Sequence, residues 1–354
     1  MNKADNGLYI HIPFCASKCG YCDFLSFDDR QDAQAAYKDA LINELAHSAD
    51  FAHTIYIGGG TPTIWPASFL SELLEALPPA AEITCEANPG TLTRSKISAL
   101  ANGKVNRISL GLQAWQPHLL KAIGRRTGSE AFLKNFYDLR STGFNNINVD
   151  IMFALPGQSI ADWEETLKNV AALEPEHISA YALTPTDMDE ETDRLMYHRC
   201  KAFLRERCYK QYELSNFCKP GFECKHNLRY WTCKPYTGYG LGAHSFDGKT
   251  RWNNTTDLEK YITEASKHSK DLAGSSIAEN IVKAEIVPEF MIMGLRMTKG
   301  VLLDETLWQT YSLWITKMIN DGLLEKRPAK NGCRIALTDL GMDLANIVMA
   351  GFLE

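Results

Sequence analysis

A chain of 354 residues, 45% of them hydrophobic, has length for one large α/β domain plus a smaller appendage and apolar side chains enough for a sizeable core. Its formal net charge of −6, with no block of Lys or Arg, excludes a surface that tracks a phosphate backbone, so nucleic acid is not an expected partner. The N-terminal stretch lacks a signal-peptide pattern and no run of about 18 apolar residues occurs, so a cytoplasmic protein is expected, its ten cysteines reduced thiols rather than disulfides.

The first predicted strand, Leu8 to Ile12, runs into CASKCGYC, which sets Cys15, Cys19 and Cys22 at C-x3-C-x2-C spacing. Thiolates this close in sequence can reach neighbouring irons of one cluster from a single loop. A [4Fe–4S] cube takes four ligands and this loop offers three, which leaves one iron open to a bound molecule, as a catalytic zinc keeps a position free. Buried thiols without metal, or a zinc site completed by His11, are the alternatives. Zinc sites usually show two separated ligand pairs, and this compact triplet does not.

Tyr37, Leu41 and Leu45 recur at helical spacing, and the second strand, Thr54 to Ile57, opens directly into IGGGTPT. Glycines there let backbone groups approach a ligand closely. Four further strands follow: Glu82 to Glu86, Arg107 to Gly111, Asn146 to Ile151 and His177 to Ala182. Helical patterns separate them, as in Ile160, Trp163, Leu167 and Val170. Six strand–helix units predict a partial (β/α)6 barrel rather than a closed eight-stranded one. Glu86, Gln113 and Asp150 are polar groups where apolar strands stop, and in such a barrel those ends share one mouth. Arg125 could pair there with a carboxylate, although Arg126 beside it has the same charge.

After about residue 205 the rhythm breaks into a Cys-, Gly-, Tyr- and Trp-rich stretch that reads as loops and short strands. From about Ala278 a helical pattern returns and the end reads as helix, hairpin, helix, a small α+β appendage of winged-helix type. The expected division is a core barrel over 1–215, the cysteine- and aromatic-rich segment over 216–275, and a C-terminal domain over 276–354.

In order, YIHIPFCASKCGYCDF, IGGGTPT, EANPGT, RISLGLQAW with GRRTGSE, NVDIMFALPGQS and HISAYALT resemble the radical-SAM family of oxygen-independent coproporphyrinogen III oxidase and its HemW branch of haem chaperones. The resemblance covers nearly the whole chain. It implies a [4Fe–4S] cluster on Cys15, Cys19 and Cys22, and S-adenosylmethionine (SAM) held by Tyr9, Tyr21, Gly59, Gly60, Thr61, Glu86, Gln113, Arg125, Asp150 and Ala182. It also implies cluster reduction by a donor such as flavodoxin or ferredoxin and homolysis of SAM to a 5′-deoxyadenosyl radical.

The oxidase branch carries a longer N-terminal segment and a further cysteine two residues after the triplet, where this chain has Phe24. The HemW branch carries H-N-x-x-Y-W, matched here by His226, Asn227, Tyr230 and Trp231. That branch implies haem bound with His226 as axial ligand, an acceptor protein for the haem, and possible homodimerisation linked to the cluster. Coproporphyrinogen decarboxylation and a radical-SAM methyltransferase are the rival readings, and a zinc module without SAM chemistry is a remote one. Cys218, Cys224 and Cys233, which bracket His226, are open between zinc, a thiolate for haem, and plain buried thiols.

Overall fold

The computed structural model describes residues 5–46, 51–265, 276–330 and 332–353. Six parallel strands, β1 (Gly7–Ile12), β2 (Ala52–Gly59), β3 (Ala80–Ala87), β4 (Arg107–Gln113), β5 (Ile147–Phe153) and β6 (His177–Ala182), lie side by side in chain order. Between and after them run α1 (Gln34–Leu45), α2 (Ala67–Ala76), α3 (Arg94–Asn102), α4 (Pro117–Ala122), α5 (Ser129–Ser141), α6 (Ile160–Ala172) and α7 (Glu190–Glu206). The partial barrel read from the strand–helix rhythm is therefore the fold.

Helices form where the apolar period predicts. In α1 Tyr37, Leu41 and Leu45 are buried, and in α6 Trp163, Leu167 and Val170 are. Each such side chain is worth about 1.5–3 kcal/mol on burial. Ser159 and Asp162 start α6 with a reciprocal capping box, and Trp163 Nε1 donates 2.9 Å to the Met196 carbonyl of α7.

Along β4 the side chains alternate. Ile108, Leu110 and Leu112 enter the main core, whereas Arg107, Ser109, Gly111 and Gln113 line the barrel interior. The same alternation places Asn148, Asp150 and Met152 of β5 inside. The interior is thus a polar cavity rather than a stack of branched apolar side chains.

Beyond α7 come β7 (Lys210–Gln211), β8 (Asn216–Cys218), α8 (Lys225–Trp231), β9 (Tyr236–Tyr239), β10 (His244–Phe246), β11 (Thr250–Asn254), α9 (Leu258–Glu264) and β12 (Ala278–Lys283). β9 joins the free edge of β1 in parallel and β10 to β12 extend that edge antiparallel, while β8 and β7 extend the β6 edge. Among the described residues the two ends of the sheet, β12 and β7, do not pair, so the barrel is open.

Two expectations need correction. The HNLRYW stretch is a helix, α8, not a loop, because the Glu82 carboxylate of β3 accepts the Lys225 and His226 amides at 3.0 and 2.9 Å and so caps its first turn. Residues 278–283, expected to begin a helix, form the edge strand β12, since pairing with β11 overrides a short local pattern.

The chain ends in α10 (Ile286–Leu295), β13 (Val301–Leu303), α11 (Glu305–Asn320), β14 (Leu324–Ala329), β15 (Gly332–Leu337), α12 (Asp339–Asp343) and α13 (Ala345–Ala350). Its three-stranded sheet, ordered β13-β15-β14, packs on these helices around a separate core that includes Met291, Ile315, Ile335 and Val348. This is the winged-helix-like α+β appendage. Among the described residues no helix is long and apolar enough to cross a membrane.

Candidate functional site at the mouth of the barrel

The cysteine loop is held against the end of β2 by backbone. The Gly60 amide donates 2.9 Å to the Ile12 carbonyl, the Thr61 amide donates 2.8 Å to the Phe14 carbonyl, and Cys15 and Phe27 close the loop by a 2.9 Å bond. Gly59 has φ +112, a region that favours glycine, and a Cβ on Gly60 would sit 2.6 Å from the Phe14 carbonyl oxygen. The GGG run is therefore needed to seat the loop. Cys15 is buried and its thiol lies 3.6 Å from the Thr61 hydroxyl, whereas Cys19 and Cys22 are half-buried. Burial pushes the Cys15 and Cys22 thiols up.

All three thiols line one cavity of about 460 Å³ inside the barrel mouth. Tyr21, Gly59, Gly60, Thr61, Glu86, Gln113, Arg125, Asp150 and Ala182 line it too, so residues far apart in sequence converge. Glu86 accepts a 2.7 Å bond from the Tyr56 hydroxyl and a 3.2 Å bond from the Gly59 amide. Burial pushes its carboxyl up to about 7, and the Asp150 carboxylate adds to the shift. Asp150 accepts from Ser109 at 3.0 Å and from Asn148 at 2.9 Å, and burial raises it as well. Gln113 has φ +74 at a register break in β4, the strained backbone common at sites that aim a side chain.

Arg125 donates to the Gly111 carbonyl, and its Nε is buried without a partner among the described residues, while Arg126 is exposed. Of the two arginines, Arg125 lines the cavity and Arg126 does not. Gly124, at φ +76, lets this turn approach the Cys19–Gly20 backbone.

Two residues named for the site are elsewhere. Tyr9 does not line the cavity. Its ring stacks beside Tyr56 and its hydroxyl shares a 2.9 Å bond with His11 Nδ1.

His226 is fully buried, with Nδ1 bonded to the Thr54 hydroxyl at 2.9 Å and Nε2 to the Tyr230 hydroxyl at 2.8 Å. Burial, with Arg229 and Arg107 adding to it, pushes its imidazole down to about 3. Both ring nitrogens are thus engaged within the protein, and the ring pins α8 across the barrel's N-terminal end. The Cys224 thiol, pushed up to about 12 by burial, faces Glu82 at 3.7 Å. Cys233 lines a separate small pocket with Trp231 and Tyr236. Among the described residues no three His, Cys, Asp or Glu side chains gather tightly enough for a single metal ion.

Sequence reasoning missed Tyr56, Asn88, Arg107, Ser109, Asn148 and Ser179, which line the cavity, and read Asn227, which lines it too, only as part of the haem motif. For Arg107, Ser109 and Asn148 the signal was present, as polar residues alternating with apolar ones inside strands.

The family model of the Radical SAM superfamily matches residues 9–170. Heme chaperone HemW of Lactococcus lactis is 34% identical in an alignment that covers 100% of this chain and 98% of that protein. The chain belongs to the HemW family of radical SAM proteins. Heme chaperone HemW of Bacillus subtilis is also 34% identical, over 83% of this chain and 84% of its own length. Coproporphyrinogen III oxidase (HemN) from Escherichia coli shares the fold at TM-score 0.82, with 22% identity, covering 99% of this chain and 90% of that one.

Membership of the superfamily brings a [4Fe–4S] cluster and SAM, and the mouth of this HemW-family chain fits both. Three unpaired thiols are the right donors for a cluster with one open iron. The Arg125 guanidinium lines the mouth and can donate to the carboxylate of a methionine moiety, and Glu86, Gln113 and Asp150 offer acceptors to ribose hydroxyls. Cys15, Cys19 and Cys22 would hold the cluster, which when reduced would supply an electron to the sulfonium of bound SAM. The GGG turn and Arg125 would face the methionine end, and the polar ends of β3, β4 and β5 would face the ribose, since all of them line the one cavity.

Proposed function

We propose that this chain is a haem chaperone that carries its cluster on Cys15, Cys19 and Cys22, holds SAM in the barrel mouth, binds haem and hands it to an acceptor protein. The observation that carries the reading is the end-to-end likeness to a relative named Heme chaperone HemW, which leaves no part of the chain outside the alignment. Phe24, 67% exposed at the cavity rim, supports it, because an apolar side chain occupies the place of the oxidase's further cysteine. The working assignment is a cytoplasmic protein that receives electrons from a flavodoxin or ferredoxin and associates as a homodimer.

Haem is bound without His226 as ligand, since that ring already serves Thr54 and Tyr230. The test is an anaerobic haem titration of the cluster-reconstituted protein, with and without SAM, followed by the Soret band. Saturable binding is expected, and no binding in either state refutes the proposal. Incubation with coproporphyrinogen, SAM and reductant is expected to yield no protoporphyrinogen, and its formation would make the chain an oxidase.

A further inference from the structure

The barrel cavity continues below the SAM-facing residues to a floor at the start of β4, where buried polar groups have no partner among the described residues. Arg107, the first residue of β4, is 2% exposed and lines the cavity. Its Nε is buried without a hydrogen-bond partner among the described residues. Thr84, its register partner on β3, is fully buried and its hydroxyl is likewise without one. Asn227 reaches the same cavity from α8.

The acids around Arg107 have their oxygens engaged elsewhere. Glu82 caps α8 through the Lys225 and His226 amides, Glu86 accepts from Tyr56 and Gly59, and Asp150 accepts from Ser109 and Asn148. A buried guanidinium nitrogen without a partner is costly, so an arginine in that state whose side chain lines a cavity is expected where a ligand supplies acceptors, and the buried Thr84 hydroxyl behind it adds a second unpaired polar group to the same spot.

We propose that this floor, lined by Arg107 and Asn227 with Thr84 buried behind them, is a subsite for the carboxylate of a small acidic molecule lying beneath SAM. The guanidinium edge matches two carboxylate oxygens. Glu86, one inward step above on β3, and Asp150, two inward steps above on β5, repel a phosphate dianion more than a singly charged carboxylate. The subsite is independent of haem, and it depends on the SAM reading only for what lies above it.

The test uses the full, cluster-reconstituted chain under anaerobic conditions with saturating SAM, so that Arg125 is occupied. SAM binding is measured first in the same sample, which separates failure of the mouth assignment from failure of the floor. Carbon-13 acetate is then titrated and its line width followed, with acetamide as the neutral isostere and inorganic phosphate as the alternative oxyanion. Saturable broadening of acetate alone is expected, weakened at least tenfold in Arg107→Met and partly retained in Arg107→Lys. Equal broadening in Arg107→Met, broadening by phosphate but not acetate, or no saturable effect on the unaltered protein overturns the proposal. Should Arg107→Met fail to fold, the unaltered protein still decides. Reducing the cluster to its paramagnetic state must speed acetate relaxation beyond that of acetamide, and no difference refutes the subsite.

Discussion

Replacing His226 by Phe separates a structural pin from a haem ligand. Phe keeps the ring volume but removes both nitrogens, leaving the fully buried Thr54 hydroxyl and the half-buried Tyr230 hydroxyl without their bonds of 2.9 and 2.8 Å. An unsatisfied buried polar group costs about 1–3 kcal/mol, and the Tyr230 side lies at the low end, so about 2–4 kcal/mol should be lost. That is a large share of the roughly 5–15 kcal/mol that holds a folded domain. His226→Asn, whose amide can stand in for Nδ1, should lose about half as much.

The imidazole also gives a pH signature. Its pKa falls from 6.5 in the unfolded chain to about 3 in the fold, so the stability it contributes is complete above about 6.5 and is lost as pH falls toward 3. Anaerobic urea unfolding followed by circular dichroism, from pH 7 down to pH 4, should show the gap between wild type and His226→Phe narrowing as pH drops. A stability loss below about 1 kcal/mol, or haem binding abolished while the urea midpoint stays put, would refute the pin and restore the ligand.

Other outcomes follow from the mouth. Cys19→Ala should abolish the cluster, and full iron and sulfide content in that variant would contradict the assigned loop. Asp150→Ala and Gln113→Ala should each weaken SAM binding by about tenfold or more with iron content unchanged, as expected for the loss of a charge-assisted or buried hydrogen bond. Unchanged affinity in both, by equilibrium dialysis, would mean that SAM lies elsewhere. Because Glu86 titrates near 7 and its ionised form is the better acceptor for a ribose hydroxyl, SAM should bind more tightly as pH rises from 6 to 8. Glu86→Gln should flatten that profile, and a slope that persists in it would shift the titration to another group.

Local rules carried much of this protein. The C-x3-C-x2-C spacing, the glycine run after the second strand and the alternation of apolar strands with amphipathic helices are short-range patterns, and they located the cysteine loop and the order of the barrel strands. Glu86, Gln113 and Asp150 were readable as polar strand ends because a parallel barrel brings those ends to one mouth.

What local pattern cannot contain is the partner from a distant part of the chain. Arg125 is separated from Arg126 only by which guanidinium reaches the Gly111 carbonyl. α8 is a helix because Glu82, 144 residues away from His226, caps it, and His226 is a pin because Thr54 on β2 meets its ring. The unsatisfied pair at Arg107 and Thr84 exists only once β3 and β4 lie in register. The amino-acid order therefore decided the chemistry available and the elements that carry it. Tertiary packing decided which polar groups were already satisfied, and hence which remain to meet a ligand.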